Sequence, residues 1–413
     1  MSQSTTAHPE AHNDPARDGA HEAGAIPASG AADDSDGALN ASLATPDTRR
    51  TFLKRASLLT LAIPGIGAAL TACESEQHGG GAGSTQAARD TSGTRRGPRT
   101  DNPDSRLDTA LHREEHPVTT HFPATAAEAR YERFDPALPP LSRERTLDIH
   151  FRAVEAPVRV SSDLVVAGWT FEGNIPGPII HCRVGDTVNF TLTNEAVVPH
   201  SMDFHAAQID PKVAFRSVGK GQSVSYSFRP RYAGAFCYHC GTAPVLMHIG
   251  SGMYGAIIVS PRDPLPPARE FVLVQGEYYL ADAVNGVRPS DYRKMLAELP
   301  DVVTFNGRPD QYSREPIRVR KGERVRFWVV NAGPSLECAF HIVGEQFDVV
   351  YLGEPPENRI RGVQTWSVPA GGGMGFELTC DVPGEFAFVN HAFGHGQKGA
   401  IGRLVVEETG EDD

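Results

Sequence analysis

One set of short segments occurs twice along this chain, and that duplication restricts its fold more than any other feature. Val184-Gly185-Asp186-Thr187-Val188 returns as Lys321-Gly322-Glu323-Arg324-Val325. Ala233-Gly234-Ala235-Phe236 returns as Pro383-Gly384-Glu385-Phe386, and Gly255-Ala256-Ile257 returns as Gly399-Ala400-Ile401. The offsets are 137, 150 and 144 residues, in the same order. A pattern that repeats in this way implies a duplicated domain. Each copy is built of short runs rich in β-branched and aromatic residues, such as Val188-Asn189-Phe190-Thr191-Leu192 and Val224-Ser225-Tyr226-Ser227-Phe228, divided by Gly, Pro and Asp turns. That spacing predicts an all-β chain of two tandem barrels or sandwiches, residues 141–262 and 263–413, joined through the Pro-rich stretch 261–267. One helix is expected within 290–299, with Ser290 as cap and Pro300 as stop.

The region ahead of the repeats has another character. Residues 1–48 hold few large apolar side chains and are expected to be disordered. Arg49-Arg50-Thr51-Phe52-Leu53-Lys54 then precedes an uncharged apolar stretch, 56–72, that ends in Leu70-Thr71-Ala72-Cys73. The twin arginine resembles a Tat export signal, and the last four residues resemble a lipobox. The apolar stretch is short for a membrane span and carries Pro64, Gly65 and Gly67. Residues 1–73 are therefore expected to form an extension with an export signal, Cys73 being the lipidation site. Residues 74–140 are expected to be a disordered tether. The protein would lie at a periplasmic or other extracytoplasmic face, anchored to membrane by lipid. The net charge of −12 and the lack of a basic run argue against nucleic acid as a partner.

Two groups of residues point to metal. Cys240, His248 and Met253 are spaced Cys-x7-His-x4-Met, with His200 upstream. Two imidazoles, a thiolate and a thioether are the ligand set of a type 1, or blue, copper site. Neighbours on a strand face opposite ways, so if Cys240 points inward, His239 points outward. The same parity sends His200 inward and Asp203 and His205 outward. His239, His205 and Asp203 can then share an outer face as a second site without thiolate. Two imidazoles do not complete a catalytic copper site, and His391 and His341 are the candidates to add. Aligned on Phe236 and Phe386, Cys240 falls opposite Asn390, so the second copy has lost the thiolate.

These segments closely resemble the copper-containing nitrite reductases over about residues 145–408. The match is carried by Pro199-His200-Ser201-Met202-Asp203-Phe204-His205, Tyr238-His239-Cys240-Gly241, Met247-His248-Ile249-Gly250-Ser251-Gly252-Met253, Phe340-His341-Ile342-Val343-Gly344 and Val389-Asn390-His391. The resemblance implies two cupredoxin-like Greek-key domains with one type 1 and one type 2 copper per subunit. His200, Cys240, His248 and Met253 would bind type 1 copper. His205 and His239 would bind type 2 copper with His391 of a neighbouring subunit, in a homotrimer. Asp203 and His341 would be the catalytic pair for converting nitrite to nitric oxide, and Thr365 would orient His341. A small cytochrome c or cupredoxin would donate the electron. Two departures stand out: Gln208-Ile209-Asp210-Pro211-Lys212-Val213 replaces a Gly-rich stretch, and Val343 replaces an isoleucine of the substrate pocket.

Three other readings fit parts of the chain. A laccase-like multicopper oxidase needs paired His-x-His motifs, and residues 144–408 have none. A blue-copper electron carrier would leave His205, His239, His341 and His391 without use. A type 2 copper oxidoreductase of the same fold acting on another small substrate is the third. The chain has six cysteines, too few and too uneven for a disulfide framework. Cys182 with Cys237, and Cys338 with Cys380, could pair in an oxidising compartment. His395 is expected on an exposed loop.

Overall fold

The computed structural model describes residues 125–408. The Arg49-Arg50 signal and Cys73 lie outside the described residues. The first copy contains β1 (Thr146–Arg159), β2 (Val165–Phe171), β3 (Ile180–Arg183), β4 (Thr187–Asn194), β5 (Asp203–Phe204), α1 (Pro211–Ala214), β6 (Ser223–Phe228), β7 (Gly234–His239), α2 (Val245–Gly250) and β8 (Tyr254–Ser260). Its strands form two sheets, ordered β2-β1-β4-β6 and β3-β8-β7-β5. The second copy contains β9 (Arg269–Tyr278), α3 (Tyr292–Leu296), β10 (Val302–Phe305), α4 (Gln311–Arg314), β11 (Ile317–Arg320), β12 (Arg324–Gly333), β13 (Cys338–Ile342), β14 (Phe347–Tyr351), β15 (Arg359–Val363), β16 (Thr365–Val368), β17 (Gly373–Thr379), β18 (Gly384–Asn390), α5 (Phe393–Gln397) and β19 (Ile401–Glu407). Its sheets are β10-β9-β12-β17-β14-β15 and β11-β19-β18-β13-β16.

The duplication holds in the pairing of the central strands, although the second copy carries additional strands. β1 lies parallel to β4 as β9 does to β12, and β3 lies parallel to β8 as β11 does to β19. β5 pairs antiparallel with β7 as β13 does with β18. The two-residue period explains the layers. In β4, Val188, Phe190 and Leu192 are buried while the intervening Asn189, Thr191 and Thr193 are half-exposed. Phe151, Phe171, Phe190, Phe204 and Tyr238 fill the first core, and Phe305, Phe327, Phe340, Phe376 and Phe388 fill the second. Each such side chain contributes roughly 1.5–3 kcal/mol when withdrawn from water. A third apolar cluster joins the copies. There Tyr254, Ala256 and Ile258 of β8 pack with Val272 and Val274 of β9 and Trp328 and Val330 of β12.

Several sequence expectations need correction. The tether assigned to 74–140 is packed from residue 125 onward. Val272 N donates to Pro136 O, Leu138 N to Glu270 O, and Phe134 N to the Gln311 side chain. These bonds to β9 and α4 give its backbone the partners that a free tether finds in water. The helix expected at 290–299 is one turn, Tyr292–Leu296, and its cap is Asp291, whose carboxylate accepts from Arg293 N and Lys294 N. Ser290 bonds the Ser251 hydroxyl instead. Cys182, Cys237, Cys338 and Cys380 are buried free thiols, so neither disulfide forms. His395 is half-buried on α5, near the Asn390 amide at 3.2 Å.

Candidate metal centres

The hairpin of β7 and β8 positions the first group. Cys240 follows β7, and its N–H donates to Met253 O, while Met253 N donates to His248 O. His200, on the segment before β5, bridges to Val218 by two backbone bonds. His200, Cys240, His248 and Met253 are all buried. The ligand atoms converge: His200 Nδ1 lies 3.1 Å from His248 Nδ1, and Cys240 Sγ lies 3.2 Å from His248 Nδ1 and 3.9 Å from His200 Nδ1.

The electrostatics suit a soft cation. Burial, aided by His248, pushes His200 down to about 3, and burial pushes His248 down to about 4. Both rings are therefore neutral at pH 7, the form that ligates metal. Burial raises the Cys240 thiol, opposed by the Ser201 N–H that donates to Sγ at 3.4 Å. His200 Nε2 is buried with no hydrogen-bond partner. The ring is thus held here at a polar cost that a metal on Nδ1 offsets. Trp169 of β2 lies against both rings, at centroid distances of 5.6 Å to His200 and 4.7 Å to His248.

The second group lies across the same strand. Asp203 of β5 faces His239 of β7 in register, and His205 N donates to Cys237 O. The ligand atoms of Asp203, His205 and His239 all lie within 4.8 Å of one another. His205 Nδ1 is 2.9 Å from Gly371 O, and His239 Nδ1 is 3.0 Å from Cys240 O. Carbonyl oxygens only accept, so both Nδ1 atoms carry hydrogen. The two Nε2 lone pairs then face each other at 3.0 Å. Only a proton or a metal cation between them relieves that arrangement. Burial lowers the proton affinity of His239, opposed by its hydrogen bond to the Cys240 carbonyl and, less strongly, by Asp203, with the His205 ring adding to the lowering. The residues thus fit a copper held by imidazoles beside a carboxylate.

His341 and His391 form a third group on domain 2. Their rings are 5.1 Å apart at 73°. His341 Nδ1 donates to Gln364 O at 2.6 Å, with Thr365 Oγ1 at 3.3 Å, so its Nε2 is free. His391 is exposed, its ring centroid 4.6 Å from that of exposed Phe393. Within one chain this pair does not join Asp203, His205 and His239. Among the described residues only the first two groups bring three metal-ligating side chains together.

Sequence reasoning did not single out Ser201, Trp169 or the Gly371 carbonyl. Backbone atoms and aromatic contacts leave no ligand spacing to read. The domain 2 position opposite Cys240 is also closed. Asn390 is fully buried there, donating to Gln275 Oε1 and Glu337 O at 2.9 Å each and accepting from Ala339 N and Ala392 N. A satisfied amide network occupies what the thiolate would fill.

The multicopper oxidase family matches this chain twice, at residues 155–264 and 269–407. The copper-containing nitrite reductase of Neisseria meningitidis is 36% identical over 300 residues, covering 70% of this chain and 74% of its own. That of Cereibacter sphaeroides is 31% identical over 293 residues, covering 64% and 78%. The solved copper nitrite reductase of Nitrosomonas europaea superposes with a TM-score of 0.60 at 36% identity, over 65% of this chain and 95% of that one.

Proposed function

The chain belongs to the copper-containing nitrite reductases, and from that premise we propose that it reduces nitrite to nitric oxide at a copper held between subunits of a homotrimer. The reaction takes one electron and two protons per nitrite and releases water. Copper in the first ligand set supplies a one-electron carrier, and copper in the second supplies a Lewis acid that holds nitrite.

The chain's own groups do the rest. His200, Cys240, His248 and Met253, all buried, would hold type 1 copper, which would supply one-electron transfer. His205 and His239 present Nε2 outward, and His391 of a neighbouring subunit completes their set. Asp203 hydrogen-bonds the substrate oxygen and passes one proton. His341 of the neighbour would supply the second from Nε2 once that nitrogen also carries a proton, its Nδ1–H staying tied to Gln364 O.

The observation that carries this reading is the pair His239-Cys240. Cys240 belongs to the buried set and His239 to the outer one, and the His239 Nδ1–H donates to the Cys240 carbonyl. One peptide unit and one hydrogen bond span the two sets.

Export through Arg49-Arg50 and lipidation at Cys73 would hold the enzyme at an extracytoplasmic membrane face. Among the described residues, no helix is long and apolar enough to cross a membrane. The donor would be a small cytochrome c or cupredoxin.

The test is anaerobic addition of nitrite to reduced, copper-loaded protein with detection of nitric oxide. The wild type should form it. His205→Ala should form none while keeping the blue colour of the first site. Nitric oxide formation surviving in His205→Ala would overturn the two-site reading.

A further inference from the structure

Domain 2 reaches back onto domain 1 of its own chain at the turn formed by residues 369–372. We infer that this turn, clamped by Asn331, is a positioning element for His205: it fixes the ring so that Nε2 faces the outer ligand set. The inference rests on the reading of His205 as a copper ligand and adds what holds that ligand in place.

The contact is specific. His205 Nδ1–H donates to Gly371 O at 2.9 Å. This bond selects the tautomer, leaving Nε2 unprotonated opposite His239. Gly371 has φ +76°, and a Cβ there would lie 3.3 Å from His205 Cε1. The turn is also pressed onto the strand that carries His239. A Cβ on Gly373 would meet Ala235 O of β7 at 2.3 Å, closer than side chains approach backbone.

Asn331 sets the turn's shape. It is fully buried near the end of β12. Its N–H donates to Gly372 O at 2.9 Å, and its carbonyl accepts from Gly371 N at 2.7 Å. Its Nδ2 donates to Val368 O at 2.9 Å and Leu336 O at 2.8 Å. Its Oδ1 accepts from Gly333 N at 3.0 Å and Gln275 Nε2 at 3.2 Å. Every polar atom of Asn331 is used, so the turn has one rigid seat.

The duplication supplies an internal control. In domain 1, Asn194 clamps the equivalent turn in the same way: Gly221 N donates to Asn194 O at 2.6 Å, Asn194 N to Gln222 O at 2.9 Å, and Asn194 Nδ2 to Val218 O at 2.8 Å. Gly221 has φ +75°, the conformation of Gly371, yet a Cβ there would meet nothing within 4 Å. The clamp is thus a feature of the fold in both copies, and in domain 2 it has been put to work on a metal ligand.

The test compares Gly371→Ala and Gly371→Asn with Gly221→Ala and Gly221→Asn in the copper-loaded, full-length protein. Asn tolerates the left-handed backbone, so it tests the His205 contact with less backbone strain. The Gly371 variants should bind type 2 copper about 10–100-fold more weakly, as expected when an outer partner of a ligating histidine is disturbed. Their type 2 spin-resonance signal should change while blue absorbance and type 1 copper content stay. The Gly221 variants should keep both coppers and both spectra. Wild-type type 2 affinity and spectrum in both Gly371 variants, or equal loss in the Gly221 variants, would overturn the inference. His205→Ala run alongside separates the two levels. If it too keeps type 2 copper, the ligand assignment fails; if it alone loses that copper, only the positioning role fails.

Discussion

His239 and Cys240 share a peptide bond and face different solvents. Cys240 is fully buried and His239 half-exposed, so each imidazole or thiolate meets the dielectric its task requires. The buried histidines make a testable statement about the copper-free protein. His200 is pushed down to about 3 and His248 to about 4, from an ordinary 6.5. The unfolded chain therefore binds more protons than the folded one between those values. Their contribution to stability is intact above pH 6.5 and is lost as pH falls toward 4 and 3. The urea midpoint of copper-free wild type should fall across that window, and less steeply in His200→Phe. A parallel fall in both proteins would count against the neutral buried rings. The convergence of His200, Cys240 and His248 was legible in the sequence because soft metal ligation demands particular side chains at particular strand parities. The Gly371 carbonyl was not, because any residue carries a carbonyl and only the fold decides where it points.

The elements beneath the sites are short, so their ends matter. α2 carries His248 and packs against α3, where Met295 occupies the space a Cβ on Gly250 would need. Asp291 caps α3 through Arg293 N and Lys294 N. Asp291→Ala should lower stability by about 1 kcal/mol, the usual cost of losing an N-cap. Chemical denaturation should show it as a shifted midpoint with unchanged slope, and blue absorbance should persist. An unshifted midpoint would mean the cap contributes nothing. The helix was expected to start two residues earlier and end three residues later because Ser290 and Pro300 both read as boundary signals. Asp291 follows Ser290 directly, and its carboxylate reaches two backbone donors while the Ser290 hydroxyl is bonded to Ser251. The pairing of the cysteines was left open by the sequence for a related reason. A possible pairing in an oxidising compartment says nothing of geometry, and Cys182, Cys237, Cys338 and Cys380 are buried apart as free thiols.

At the scale of the molecule, duplication was followed by division of labour. Domain 1 keeps the thiolate and both ligand sets that form within one chain. Domain 2 has sealed its own pocket with Asn390, turned Gly371 toward His205, and carries His341 and His391 on an exposed face. The repeat itself was plain from the offsets near 140 residues, and so was the all-β fold. The packing of residues 125–140 was not, because a run of Ala, Pro and charged residues with few large apolar side chains reads as tether until a surface is there to receive it. The central claim is that a subunit's His205 and His239 are completed by a neighbour's His391. Complementation tests it most directly. His205→Ala and His391→Ala chains carrying different tags are co-expressed and purified through both tags, so that every trimer is mixed. Each mixed cyclic trimer has one intact interface of three, so type 2 copper and nitric oxide formation should return to about a third of wild type although each variant alone is inactive. Mixed trimers with no more activity than the separate variants would contradict the account.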